Sequence, residues 1–299
     1  MDSPVTSISV HPNPSEIAAE VTGVDLSGPL SAEAVSTITE AFGKYRILLF
    51  TGQSITVEQQ IAFSQIFGAL EEFPTPEDRA EGYRTVLRVT NIERDTGKIK
   101  PLDDPVHRSF TLGTSSWHID SSFRMLPSAA SFLYAIEIPD DGGDTMFADT
   151  TLAYASLSEK QRTTLDTLVV LHDFAETRRR HNLPPRSLAV RNATPPVRHP
   201  LVAARPNGRR ALFIGSHAAG IEGMSYKDAR LLLDDLEKAA TMPQFTYRHQ
   251  WQPGELIMYD NICVMHKAMP YDLTRGRRLL HRTTIAGTSD LVGTRGPIP

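Results

Sequence analysis

Apolar residues recur every three to four positions in four stretches of the chain, and this spacing predicts four helices. The stretches are residues 31–45, a segment that begins at Thr56, residues 158–172 and residues 225–240. Thr56 and Gln59 have the spacing of a capping box, in which each side chain binds the other residue's backbone amide. The second of these helices is therefore predicted to begin at Thr56.

Short runs rich in β-branched and aromatic residues lie between and after these helices, which predicts strands. The runs are 46–50, 85–91, 130–138, 144–148, 245–251, 255–259 and 279–285. Many short strands separated by turns, with few helices, favour a β-rich α+β fold with a sandwich or barrel core. Because no change of composition marks a boundary, residues 1–299 are expected to form a single domain.

Two long segments lack a clear periodic pattern. Residues 72–116 are polar and turn-rich, and a long loop in a compact domain is often an active-site lid. We expect a lid here. Residues 174–206 are rich in proline and arginine and are expected to run over the surface, with the run 178–180 as a solvated loop.

Composition narrows the possible partners and compartments. The formal net charge is −4, which gives no indication of nucleic-acid binding. Cys263 is the only cysteine, so no intrachain disulfide can form, and its apolar neighbours predict that it is buried. The sequence shows neither a secretory signal pattern nor an apolar run of about eighteen residues. We therefore expect a soluble cytoplasmic protein without a membrane or nucleic-acid partner.

One short segment, SSWHIDSSF at 115–123, brings a histidine and a carboxylate close together in the sequence. In an extended chain the side chains alternate between two faces. His118 and Asp120 would then share one face, and Trp117 and Ile119 the other. Such a pair is also common as a plain histidine–aspartate hydrogen bond, so by itself it does not identify a metal site.

The C-terminal part of the chain adds the residues that complete a possible site. His266 follows a predicted strand, and Arg278 and Arg282 stand four apart on the last strand, hence on one face. Two imidazoles and one carboxylate form the facial triad that binds non-haem Fe(II) and leaves coordination positions open. A planar guanidinium binds a carboxylate through two hydrogen bonds. Taken alone, the two arginines are also compatible with an ordinary surface strand.

Six segments in order resemble the taurine and chlorophenoxyacetate dioxygenase family of Fe(II)- and 2-oxoglutarate-dependent enzymes, and its herbicide-degrading branch most closely. They are 59–64 with 67–68, 117–123, 142–145, 212–217 with 221–223, 259–261 with His266, and 278–284. The resemblance implies a single dioxygenase domain with a double-stranded β-helix, or jelly-roll, core and flanking helices. It also suggests a homo-oligomer.

The resemblance assigns roles to individual residues. The implied Fe(II) ligands are His118, Asp120 and His266. Thr145 would hydrogen-bond the carboxylate of 2-oxoglutarate, Arg278 would be the main clamp on it, and Arg282 would lie beside the site. The loop after His266 is one residue longer than is usual in the family, so Arg277 competes with Arg278. The four-residue interval to Arg282 favours Arg278.

The implied reaction consumes dioxygen and 2-oxoglutarate, produces succinate and carbon dioxide, and hydroxylates a small organic acid. An aryloxyalkanoate hydroxylated beside its ether oxygen would separate into a phenol and a 2-oxo acid. Lys98 and His217 lie in segments that resemble ones associated with substrate in that branch, although an exposed loop lysine and a hydrogen-bonded rim histidine are equally simple interpretations. Three alternatives stay open: a sulfonate substrate, a secondary metabolite hydroxylated without cleavage, and a metal-binding barrel without oxygenase activity.

Overall fold

The computed structural model describes residues 7–73, 78–185, 187–205 and 208–288. The N-terminal elements are β1 (Ser9–Pro12), β2 (Ala19–Thr22), α1 (Ala32–Tyr45), β3 (Ile47–Phe50), α2 (Val57–Gln65), β4 (Leu87–Thr90) and α3 (Pro105–Thr114). The central elements are β5 (Ala130–Glu137), β6 (Thr145–Asp149), α4 (Thr150–Ala155), α5 (Glu159–Leu165), β7 (Val169–His172), α6 (Glu176–Arg180), α7 (Leu188–Ala193), β8 (Val197–Pro200), β9 (Val202–Ala204), β10 (Arg210–Leu212) and β11 (Ala218–Ile221). The C-terminal elements are α8 (Tyr226–Ala240), β12 (Thr246–His249), β13 (Leu256–Asp260), β14 (Val264–Ala268) and β15 (Leu279–Ile285).

Strands from the two ends of the chain interleave in one large sheet. Its order is β1-β2-β3-β13-β5-β15-β4, and a second sheet has the order β12-β6-β14. Smaller sheets of order β11-β7-β8 and β10-β9 complete the β structure of the described residues. The pairs within the two main sheets are antiparallel, except for β2 with β3. This is the β-rich jelly-roll arrangement with flanking helices that the sequence predicts.

The large sheet is apolar on both faces, and strand β5 shows why. Leu133 and Ala135 belong to the cluster that also contains Phe147 of β6, between the two main sheets. Phe132 and Tyr134 point the other way, as the period of two requires, and join a second cluster with residues of α1 and α2. Phe63 of α2 packs edge-on against Phe132, with ring centroids 5.7 Å apart. The first two helices therefore cover the outer face of this sheet.

The predicted helix starts are confirmed where a cap residue marks them. The Thr56 hydroxyl accepts a hydrogen bond from the Gln59 amide at 3.3 Å, and the Gln59 side chain accepts one from the Thr56 amide at 2.7 Å. Ser31 and Ser225 cap α1 and α8 in the predicted positions. In the part of the chain that the structure describes, no helix combines the length and apolar character needed to cross a membrane.

The predicted helix at 158–172 is wrong in its second half. α5 begins after Ser158, as expected, but ends at Leu165, and Val169–His172 forms β7 instead. The β-branched pair at 169–170 is stiff at χ1 and suits a strand. Strand β7 is paired on both sides, with β8 and β11. Tertiary pairing therefore decides the conformation of this segment.

The segment 174–206 does not simply run over the surface. It contributes β8 to the sheet, and His199 and Leu201 are fully buried. The run 178–180 belongs to α6, where Arg179 forms ion pairs with Asp173 at 2.8 Å and Glu176 at 2.7 Å. The expected loop is therefore a short ion-paired helix. The sequence pattern does not predict β14, the strand that carries His266.

Candidate active site

His118 and His266 meet through a single pair of backbone hydrogen bonds. The His118 amide donates to the His266 carbonyl at 3.0 Å, and the His266 amide donates back at 2.9 Å, so the two rings lie 4.2 Å apart between centroids. Asp120 Oδ1 is 3.8 Å from His118 Nε2, and Asp120 Oδ2 is 3.8 Å from His266 Nε2. One ligand atom from each residue lies within 4.8 Å of the others. The three side chains together could hold a metal ion.

The segment around His118 is extended only briefly. A single bridge forms at His118, and a turn begins at Asp120, with Ser121 at a positive φ of 54°. Ile119 is nevertheless buried on the opposite side and Trp117 packs against the same apolar cluster. The predicted alternation therefore holds for Trp117, His118 and Ile119. The turn that begins at Asp120 then brings the Asp120 carboxylate close to the two histidines.

The protonation states of the three residues suit a divalent cation. His118 Nδ1 lies 2.8 Å from the Ser116 carbonyl oxygen, which can only accept, so Nδ1 carries the proton and Nε2 offers its lone pair. Burial lowers the pKa of His118 and holds that of His266 well below its usual value, so both rings are neutral at pH 7. Burial is the largest single influence and would raise the pKa of Asp120, but the Arg282 guanidinium, the two neighbouring imidazoles and the hydrogen bond from Tyr259 together outweigh it and lower the pKa. The donor set is thus two neutral imidazoles and one carboxylate.

Three side chains from the large sheet hold the Asp120 carboxylate in place. The Tyr259 hydroxyl donates to Oδ2 at 2.7 Å and the Ser131 hydroxyl to the same atom at 3.0 Å. Arg282 Nη1 donates to Oδ1. The sequence pattern assigns no role to Tyr259 or Ser131. The available signal is that each places a hydroxyl inside a strand made mostly of apolar residues. Arg282 thus contacts a candidate metal ligand, and its role towards 2-oxoglutarate stays a prediction.

The two candidate clamp arginines point to different environments. Arg277 is exposed and binds Glu137 at 2.6 Å and the Gly97 carbonyl oxygen at 2.7 Å. Arg278 is only 5% exposed, and its Nε donates to the Gly143 carbonyl oxygen at 3.0 Å. Within the described residues its terminal nitrogens have no hydrogen-bond partner and no carboxylate lies within 4.0 Å. Burial lowers the pKa of Arg278 to about 10, so it stays cationic at pH 7. This geometry supports Arg278 as the clamp.

Thr145 begins β6, two residues after Gly143, whose carbonyl oxygen accepts the hydrogen bond from Arg278. The turn before it places Gly142 and Gly143 at φ 76° and 74°, a conformation that favours glycine. A Cβ at Gly142 would lie 2.5 Å from the Pro270 carbonyl oxygen, so a larger residue does not fit there. The Thr145 hydroxyl accepts a hydrogen bond from Trp251 Nε1 at 2.9 Å, which leaves its own proton available to donate.

A cavity of about 220 Å³ lies beside Arg278. Its walls are residues 89–91, one face of α3 with Ser115, residues 268–271 with Leu273, and Arg278. Part of the segment expected to be a lid therefore covers this cavity, while residues 74–77 of that segment lie outside the described residues. Movement of this cover stays a prediction.

The two candidate substrate residues lie in different places. Lys98 is exposed in the turn after β4 and does not line the cavity. His217 is half-buried, with Nδ1 3.2 Å from the Ser122 hydroxyl and its ring edge-on to Phe123 at 4.9 Å. Ser122 and Phe123 lie in the turn that begins at Asp120, so His217 belongs to the surroundings of the histidine–aspartate cluster. The substrate roles of both residues stay predictions.

Comparison with known proteins tests the resemblance seen in the sequence. The family model for “Taurine catabolism dioxygenase TauD, TfdA family” matches residues 9–284. The chain belongs to this family. The family relationship inferred from six short segments is thereby confirmed over nearly the whole chain.

Several members of the family are similar along their full length. The alpha-ketoglutarate-dependent 2,4-dichlorophenoxyacetate dioxygenase of Cupriavidus pinatubonensis is 36% identical over 285 residues, which covers 93% of this chain and 98% of the relative. The (S)-phenoxypropionate/alpha-ketoglutarate-dioxygenase of Sphingobium herbicidovorans is 30% identical, covering 93% and 94%. The crystal structure of AAD-2 in complex with Mn(II) and N-oxalylglycine has a TM-score of 0.86 at 34% identity, covering 96% and 99%. This likeness confirms the predicted fold.

Proposed function

We propose that this protein is an Fe(II)- and 2-oxoglutarate-dependent dioxygenase that oxidises an aryloxyalkanoate. The observation that carries the proposal is a cluster of two neutral imidazoles, His118 and His266, with the Asp120 carboxylate. Beside it lies Arg278, a buried cation with no carboxylate partner in the described chain. The relatives named for phenoxyacetate and phenoxypropionate support the substrate class.

In this proposal each residue of the site has a separate task. The Fe(II) ligands are His118, Asp120 and His266, and bound Fe(II) with 2-oxoglutarate and dioxygen would supply the oxidation that yields succinate, carbon dioxide and a hydroxylated substrate. Arg278 and the Thr145 hydroxyl bind the remote carboxylate of 2-oxoglutarate. A charge-assisted hydrogen bond of this kind contributes about 1.5–3 kcal/mol. Arg282 keeps Asp120 ionised, and Tyr259 with Ser131 fixes its orientation.

The fate of the hydroxylated product depends on the substrate. If the hydroxylated carbon bears an aryloxy group, the product is a hemiacetal. Loss of the hydroxyl proton forms the carbonyl, the carbon–oxygen bond to the aryl group breaks, and the phenol leaves together with a 2-oxo acid. His217 and Lys98 are the candidates for binding the substrate carboxylate, and the ring of Phe123 beside His217 offers an apolar surface to an aryl group.

The proposal is tested by measuring succinate formed from 2-oxoglutarate with Fe(II) and ascorbate. The panel holds aryloxyacetates, both enantiomers of aryloxypropionates, taurine and alkyl sulfonates, each repeated with His118→Ala. We expect succinate and phenol in equal amounts from the aryloxy acids and neither product from the variant. Sulfite release would identify a sulfonate substrate, and iron-loaded protein that forms no succinate with any acid would contradict the enzyme proposal.

We also propose a cellular compartment and an oligomeric state for this protein. Cys263 is buried and unpaired, which suits a reducing compartment and supports a cytoplasmic location. A homo-oligomer is proposed from the family relationship, and light scattering on the purified protein measures the number of subunits.

A further inference from the structure

The cavity beside Arg278 contains a buried polar side chain that the proposed reaction leaves unused. His107 of α3 lines this cavity and is 4% exposed. Neither of its ring nitrogens has a hydrogen-bond partner among the residues that the structure describes. Because buried polar groups are almost always paired, an unpaired imidazole of this kind indicates a ligand or water in the cavity.

The position of His107 is fixed by the start of its helix. Asp104 caps α3, and its side chain accepts hydrogen bonds from the amides of Val106 at 2.7 Å and His107 at 3.2 Å. Thr111, one turn further along, lines the same cavity. Val106 is 72% exposed on another side of the helix. The helix therefore presents His107 and Thr111 to the cavity in a defined orientation.

The cavity is suited to a small anion. Among the described residues, its walls include the Arg278 guanidinium and contain no aspartate or glutamate. Its volume of about 220 Å³ leaves room for a small organic anion. Arg278 and His107 both line this cavity, so a molecule that fills it meets both side chains. Burial lowers the pKa of His107, so at neutral pH one ring nitrogen donates a hydrogen bond and the other accepts.

We propose that His107 is a further cosubstrate-binding residue, whose N–H donates a hydrogen bond to the remote carboxylate of the 2-oxo acid that Arg278 holds. This inference rests on the proposed function and deepens it. Selection of a dicarboxylic 2-oxo acid is then shared between Arg278, directly before β15, and helix α3, which lies within the segment expected to be a lid.

The test measures binding of 2-oxoglutarate to the full chain by calorimetry, with Mn(II) and without dioxygen, so that no turnover is needed. His107→Phe removes the donor and should weaken binding about tenfold, whereas His107→Gln keeps a donor and should stay within about threefold. The preference for 2-oxoglutarate over 2-oxobutyrate, which lacks the remote carboxylate, should fall about tenfold in His107→Phe. Val106→Ala, on the exposed side of the same helix, should change neither value.

Three outcomes separate this inference from its alternatives. Unchanged 2-oxoglutarate binding in His107→Phe would mean that only water meets the imidazole, which overturns the inference while the proposed function stands. A raised KM for the aryloxy acid with unchanged 2-oxoglutarate binding would assign the cavity to the other substrate and also overturn it. Wild-type protein that does not bind 2-oxoglutarate would contradict the proposed function itself. If the phenylalanine variant does not fold, His107→Leu gives the same test.

Discussion

At the scale of single residues, His118 and Asp120 differ in what depends on them. Within the described parts of the chain, the His118 side chain makes one hydrogen bond, to the Ser116 carbonyl oxygen. Asp120 accepts hydrogen bonds from Tyr259, Ser131 and Arg282 and is the carboxylate partner of that buried arginine. Replacing His118 and replacing Asp120 by alanine should therefore change the free energy of unfolding by different amounts.

His118→Ala should abolish turnover and weaken Mn(II) binding by more than about 100-fold, because one of three ligands is lost. Its free energy of unfolding without metal should fall by less than about 2 kcal/mol. Denaturant titration and metal-binding calorimetry measure the two effects. Loss of cooperative unfolding in this variant would show that His118 is required for the fold itself.

Asp120→Ala should destabilise the metal-free protein by about 3–5 kcal/mol, since it leaves the Arg282 charge buried without its partner. The double variant Asp120→Ala with Arg282→Met should recover most of this loss. Urea titrations of the two variants and wild type give the comparison. Equal stability of Asp120→Ala and His118→Ala would contradict the argument.

Arg278→Ala should raise the 2-oxoglutarate concentration required for half-maximal rate by about 10-fold or more, because a charge-assisted hydrogen bond is lost. Arg277→Ala is the matched control and should leave this value unchanged, since its side chain is exposed and binds Glu137. Initial rates against 2-oxoglutarate concentration measure both. The reverse result would show that Arg277 is the clamp.

At the scale of elements, strands β7 and β8 carry two fully buried histidines, His172 and His199, with rings 5.4 Å apart. Burial lowers the pKa of His199 to about 4 and that of His172 well below its usual value of 6.5. As the pH falls below 6.5, the unfolded chain therefore takes up protons that the folded chain does not. Proton uptake by the unfolded chain therefore does not reduce the stability of the fold above pH 6.5. It reduces the free energy of unfolding progressively as the pH falls from 6.5 towards 4.

The free energy of unfolding should accordingly fall by up to about 3 kcal/mol for His199 alone between pH 6.5 and 4. His199→Gln should lose less stability over this interval than wild type, because glutamine does not titrate. Urea titrations at several pH values measure the slopes. Parallel slopes for the two proteins would refute a contribution from His199.

Elements are predictable from the sequence where local chemistry defines them. The capping box at Thr56 and the cap at Ser225 act within one helical turn, so the pattern alone locates them. The pattern wrongly predicts helix at β7 because the conformation there depends on pairing with β8, which lies about thirty residues away. The contact of Tyr259 with Asp120 likewise requires a register between β13 and β5 that no local pattern shows.

At the scale of the whole molecule, the candidate site joins segments that are far apart in the chain. His118 is bridged to His266 on β14 of the second sheet, whereas Asp120 is held by side chains of the large sheet. The ligand set therefore exists only when the two main sheets are assembled. A metal and 2-oxoglutarate that bind only the folded state should raise its stability by about 2.7 kcal/mol at 100 times their dissociation constant.

Mn(II) with N-oxalylglycine should therefore raise Tm, and a chelator should reverse the rise. The Tm of His118→Ala should not depend on Mn(II). Thermal unfolding over a range of Mn(II) concentrations measures the effect. Equal shifts in wild type and variant would place the metal elsewhere.

Cys263 lies 1% exposed in the apolar core, and burial holds the pKa of its thiol well above the usual value. Alkylating reagents attack the thiolate and need access to it, so the folded protein should resist them. The rate of its modification in native buffer then reports how often the barrel opens. Mass spectrometry can therefore follow opening of the barrel through the mass that the reagent adds to this single cysteine, without an engineered probe.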